Sequence, residues 1–188
     1  MNGFPIISLL TLLPILGGVF VICLGGENRK AARGIGLASA GLSLGLALVM
    51  WKMFDASSGG FRFEERHEWI KSLGIDYRVA VDGLGLLMVL LAAVVTLMAM
   101  AASGYLFAGA GQPPGNAGPG AHIYYALILF LQAGLFGTFT ALNFFHWFLF
   151  WELSLIPAFF LVRLWGGPAR ASAATQFFVY TMVGSVGL

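Results

Sequence analysis

Hydrophobic positions in this chain fall in long unbroken runs rather than at the three- and four-residue spacing of a surface helix. The runs cover about residues 4–24, 34–53, 84–106, 123–141, 144–165 and 173–188. Each is near the roughly 20 residues that a helix needs to cross about 30 Å of hydrocarbon. The pattern predicts an all-α polytopic membrane protein of about six transmembrane helices. The first run extends past the length of a signal-peptide core and is read as a retained span. The last is still apolar at Leu188, without the anchors that usually finish a span, which predicts the opening part of a longer chain.

Polar positions concentrate in residues 54–83, which with Lys52 at their edge hold five of the ten bases and six of the eight acids. This segment is expected to be a solvent-facing loop. Within it Ile75, Tyr77, Val79 and Val81 alternate with Asp76, Arg78 and Asp82, the period of a short half-buried strand. Residues 109–121 are rich in Gly and Pro and carry no charge, which predicts a linker. The chain thus divides into residues 1–121, with helices 1–3, the polar loop and the linker, and residues 122–188, with helices 4–6 of an unfinished second unit. Helices 4 and 5 almost abut at Asn143 and should form a tight antiparallel pair. Gly41 and Gly45, one turn apart, predict a face for close helix packing.

Composition agrees with the runs. Of 188 residues, 59% are hydrophobic and 10% charged, against about a quarter charged in a soluble domain. The lipid bilayer is therefore the first partner, and a net charge of +2 scattered over loops gives no footprint for nucleic acid. Arg29, Lys30, Arg33, Arg163 and Arg170, with Glu27 their one acid, flank two turns on one side of the membrane. That side is expected to be cytoplasmic and the N-terminus outside. The single cysteine, Cys23, allows no internal disulfide, iron–sulfur cluster or thiolate zinc site, so any redox cofactor should belong to a partner. No phosphate loop, nucleophile elbow or dinucleotide fingerprint is present, and the three histidines fit no ligand spacing.

One residue carries candidate chemistry. Between Asp82 and Arg163 the only charged side chain is Glu152, in the middle of the fifth span. An ionised group at a helix centre costs about 2.5–3.5 kcal/mol on insertion scales, so such a residue is normally turned inward and paired or protonated. A carboxyl held between those states can take and give a proton, as a relay through a membrane requires. Pro157 removes the donor for the Leu153 carbonyl and is expected to kink the helix, which would admit water beside the carboxyl. Residues at three- and four-residue spacing from Glu152 are Phe148, Leu149, Leu155 and Ile156, so a polar partner must come from another helix. The alternative is a protonated core acid that only helps helices assemble. His146 and His122, near span ends, read as interfacial residues, with His146 a weaker candidate for the proton path.

The stretch Phe150-Trp151-Glu152-Leu153-Ser154-Leu155-Ile156-Pro157, followed by Leu164-Trp165-Gly166-Gly167, resembles the antiporter-like subunit M, or chain 4, of NADH:quinone oxidoreductase. The stretches Gly74–Leu84 and Ala173–Thr181 agree in order. The resemblance implies a family with about fourteen helices and two inverted repeats, of which this chain matches the opening portion. It also implies that Glu152 pairs with a lysine on a later helix, and that changes in their separation drive proton transfer. Gln176 stands where family members often have lysine. The implied partners are the other membrane-arm subunits of complex I, of the L and N types, in a bacterial inner membrane. The implied cofactors (NADH, FMN, iron–sulfur clusters and quinone) sit in partner subunits and none in this chain. A multisubunit cation/proton antiporter, a membrane-bound hydrogenase and a structural fragment are the other readings of the same module.

Overall fold

A computed structural model describes residues 4–25, 28–55, 59–70, 75–104 and 120–187. The elements are α1 (Ile6–Cys23), α2 (Arg29–Met53), β1 (Arg62–Ile70), β2 (Ile75–Val81), α3 (Gly83–Ala102), α4 (Ala121–Thr140), α5 (Phe144–Trp165) and α6 (Arg170–Val186). Helices α1 to α5 are long and apolar enough to cross a membrane. Large apolar side chains such as Leu16, Phe20, Leu48, Leu91 and Val95 project from them into what would be lipid. The chain is a multi-pass membrane protein.

Helix α4 is the hub. It packs against α1, α2, α3 and α5, and 61% of its most apolar stretch is buried against 17% for α5. The expected pairing of α4 with α5 is the closest in the molecule, and glycines explain it. A Cβ on Gly134 would lie 2.9 Å from the Cα of Ser154, and one on Gly137 would overlap the Phe150 ring. Among the described residues nothing packs on the face predicted at Gly41 and Gly45. A Cβ added at either meets nothing within 4 Å, because α2 turns Ala40, Ser43 and Ala47 toward the core instead. Small residues do permit close approach, but their spacing alone does not say which face is turned inward.

The segment expected to be a loop with one strand is a two-stranded antiparallel hairpin. Strand β2 has the predicted bounds. Strand β1 shows no alternation because it is mostly exposed, and its charged side chains are tied across the ladder by Arg66–Asp76 (2.5 Å) and Arg78–Glu64 (2.6 Å). Arg62 pairs with Val81 but Glu65 with Val79, so one extra residue bulges between them. Phe63 there has a φ of 58°, the left-handed region that costs a non-glycine residue about 1–2 kcal/mol. The bulge reverses the facing of the later β1 residues and turns Glu65 inward beside Val79.

The hairpin closes one end of the bundle, where α1, α3 and α5 begin and α2 and α4 finish. The Leu142 N–H donates to the Arg78 carbonyl (3.0 Å), Val79 bridges to Ala141, and the Asn143 amide donates to the Asp76 carbonyl (3.3 Å). Helix starts are capped by Asn28 on the Ala31 N–H, Asp82 on Gly85 and Asn143 on Phe145. Arg29, Lys30, Arg33, Arg163 and Arg170 lie together at the other end of the bundle, on one side as the charge pattern implies. Glu27 and positions 109–119 of the predicted linker lie outside the described residues, and its final residue, Ala121, already belongs to α4.

Candidate functional site

Glu152 sits in the middle of α5, two residues from Phe150 and from Ser154, the side chains that press on Gly137 and Gly134. At about 100° per residue, a two-residue step turns roughly half a circle, so Glu152 faces away from α4. It is half-buried on the seam with α6, where the Ser185 hydroxyl donates to its Oε1. Ser185 is itself buried and also lies 3.1 Å from the Met182 carbonyl. The predicted partner from another helix is thus a hydroxyl. Among the described residues no cation pairs with Glu152. One donor stabilises a carboxylate only in part, so the ionised form here needs water or a cation as well.

Helix α5 runs without a break through Pro157, which is buried. The space beside it, about 340 Å³, is lined by Ile15, Phe130, Leu153, Ile156, Pro157 and Phe160 among others. Those walls are apolar and do not include Glu152.

His146 departs from its interfacial reading. It is 2% exposed, stacked on Phe150 (4.5 Å between centroids) and edge-on to Tyr77 (5.1 Å), because the hairpin lies over the start of α5. Neither ring nitrogen has a hydrogen-bond partner among the described residues. It lies about 9 Å along the helix from Glu152, with Phe150 against it, and the two are not joined by polar groups.

A second polar cluster, unforeseen from the sequence, lies under the hairpin. Glu65 is 8% exposed and accepts from the Ile7 N–H (2.7 Å), the Ser8 N–H (3.2 Å) and the Ser8 hydroxyl. It therefore caps α1 from 57 residues away, where the residue preceding the helix, Pro5, has no side chain to do so. The Ser8 hydroxyl proton goes to Glu65, so Tyr77, 2.9 Å away, is the donor to Ser8. Burial holds the Tyr77 phenol above its ordinary range near 10. The sequence signal for Glu65 is nearly nil, since it is one of four charged residues in Glu64-Glu65-Arg66-His67-Glu68 and only the bulge singles it out.

Known proteins resemble this chain in sequence and in fold. The family model described as NADH:quinone oxidoreductase/Mrp antiporter, TM, matches residues 141–188, which include Glu152. Over 97% of its length the chain is 36% identical to NAD(P)H-quinone oxidoreductase chain 4 2 of Thermosynechococcus vestitus, of which it covers 32%. It is also 36% identical to F(420)H(2) dehydrogenase subunit M of Methanosarcina mazei, again over 97% of its length and 34% of that protein. The chain spans about a third of the length of the curated relatives it matches. Among solved structures, a chain of respiratory complex I from Thermus thermophilus superposes with a TM-score of 0.75 at 26% identity, covering 95% of this chain and 33% of that one. A chain of the Mrp complex from Dietzia sp. shares the fold, with a TM-score of 0.74 at 24% identity over 96% of this chain and 18% of that one.

Proposed function

Starting from a chain that is similar, over nearly its whole length, to about a third of chain-4 and subunit-M proteins, we infer that it forms part of a proton path in the membrane arm of a redox-driven pump. Glu152 is its proton-exchanging carboxylate. The observation that carries this reading is an acid at mid-span, turned to the α5–α6 seam and held by a hydroxyl, with no cation beside it among the described residues. In its neutral form such a group is tolerated. It ionises when a positive charge or water approaches and takes a proton back when that support leaves. The family resemblance supplies the approaching charge as a lysine from a later helix. Electron transfer then belongs to partner chains, which would hold NADH, FMN, iron–sulfur clusters and quinone. The nearest partners are antiporter-like subunits of the L and N types, in a bacterial inner membrane.

The test is made in the intact assembly, purified through a tag on this chain from its native host. Wild-type particles should reduce quinone with a nicotinamide or deazaflavin donor, the two donors that the relatives' names record. In Glu152→Gln, coupled turnover and proton pumping should fall about tenfold or more, the equivalent of roughly 1.4 kcal/mol on the limiting barrier, while subunit composition is unchanged. Normal pumping in that variant would remove Glu152 from the mechanism. The family model also covers Mrp antiporters, so a particle that moves sodium against protons without quinone reduction would place the same carboxylate in an antiporter instead.

A further inference from the structure

The core formed by α1 to α4 is divided in two. One apolar cluster, at the hairpin end, includes Leu10, Ala47, Ala93 and Phe136, and the other includes Val21, Ala40, Met100 and Leu129. Between the two along each helix lie buried residues of another kind: Gly17 on α1, Ser43 on α2, Thr96 on α3 and Gln132 on α4. Packing places Ser43 and Gln132 at one level, with Gly17 and Thr96 about one turn nearer the other end of the bundle. Gly36 abuts Tyr125, and Gly17 abuts both Ser39 and Leu129, so α2 and α4 advance in the same direction. One further turn brings α2 to Ser43 and α4 to Gln132. Met100 also abuts Gly36, and α3, which runs the opposite way, reaches Thr96 one turn from that contact, level with Leu129, toward which the Gln132 side chain tilts.

At this waist Gln132 is fully buried, and neither its amide nitrogen nor its amide oxygen has a hydrogen-bond partner among the described residues. An amide left so in an apolar interior costs roughly 1–3 kcal/mol by protein mutational measures. Because these helices already enclose the side chain, another subunit or span packed on the outside does not reach it. Ser43 spends its proton on the Ser39 carbonyl (3.0 Å), and Ser39 spends its own on Leu13 (3.3 Å), which leaves hydroxyl oxygens as acceptors. Among the described residues the waist holds no carboxylate, which argues against a cation. An occupant that both donates and accepts, and is small enough to be enclosed, is water.

We propose that Gln132, with Ser43 and Thr96, forms a buried water-binding site at the waist of the α1–α4 bundle. The site is separate from the Glu152 seam. Gln132 stands two residues from Gly134, the position pressed against α5, and so faces the opposite side of α4. Its occupancy does not depend on the reading of Glu152 as a proton carrier.

The intact assembly, imaged by electron cryomicroscopy at a resolution that resolves ordered water, tests this. Density is expected about 2.7–3.2 Å from the Gln132 amide, and Gln132→Met, which keeps the length of the side chain and removes its polar atoms, should lose it. An amide turned onto a protein carbonyl, a dry contact in a map that shows other internal waters, or density that persists unchanged in Gln132→Met would overturn the proposal. If the variant fails to assemble, the wild-type map decides alone.

Discussion

Removing the Glu65 carboxylate should loosen the start of α1 by an amount the geometry sets. Ile7 and Ser8 occupy the second and third positions of that helix, whose N–H groups have no intrahelical acceptor, and Glu65 receives both. Loss of a capping side chain costs about 0.5–2 kcal/mol. Loss of a negative charge beside a helix N-terminus costs a further 0.3–1 kcal/mol or so. Glu65→Ala removes both contributions, about 1–3 kcal/mol, whereas Glu65→Gln keeps an acceptor and forfeits mainly the charge. Amide hydrogen exchange on N-terminal peptides of the intact assembly reads this locally. Where opening and closing are fast, Ile7 and Ser8 should exchange roughly 5- to 150-fold faster in Glu65→Ala and about 2- to 5-fold faster in Glu65→Gln, at 1.4 kcal/mol per tenfold. Peptides of α4 should be unchanged. Equal protection at Ile7 and Ser8 in wild type and Glu65→Ala would refute the assignment of Glu65 as the cap.

Gly134→Ala sets an α4 methyl against the backbone of Ser154, and overpacking of this kind costs about 1–3 kcal/mol. Thermal unfolding of the purified assembly should show the loss, while Gly41→Ala, which meets open space, should be neutral or slightly stabilising. Tyr77 adds a pH dependence. Its folded pKa is raised by burial, so its contribution is complete below pH 10 or so and is lost as pH rises through the folded value. Alkaline exchange at the start of α1 should therefore accelerate above about pH 10 in wild type, and Tyr77→Phe should lack that component.

How much of the fold the sequence discloses depends on the range of each interaction. The spans were legible because lipid demands a long apolar run, a property of consecutive residues. β2 was legible because Tyr77, Val79 and Val81 turn an apolar face inward, although Ala80 between them is buried as well, and β1 was not, because a strand that faces water on nearly all its side chains has no alternation to show. Glu152 stood out by its cost alone. Its donor, Ser185, did not, since the phase of α6 against α5 is a property of two helices and neither sequence states it. Glu65 and Gln132 differ in the same way. One is hidden in a charged run and the other in an apolar one, and only packing reveals that the first caps a distant helix and the second is enclosed without a partner among the described residues.

The two ends of this chain's polar chemistry differ in mechanical support. Helices α1 to α5 are tied at one end through the hairpin, the Glu65 cap and the hydrogen bonds to the α4–α5 turn, and α4 binds α5 through contacts that admit no extra methyl group. Helix α6 leans chiefly on α5. The donor to Glu152 therefore sits on the least supported helix of the described structure, while the carboxylate sits on one held firmly from behind. A shift of α6 alters the hydrogen bonding and hydration of the carboxylate without disturbing the α1–α4 core. On the proposed reading of Glu152 as a proton-exchanging group that combination is what is needed, because its own position must be fixed while the groups that stabilise its charged form come and go.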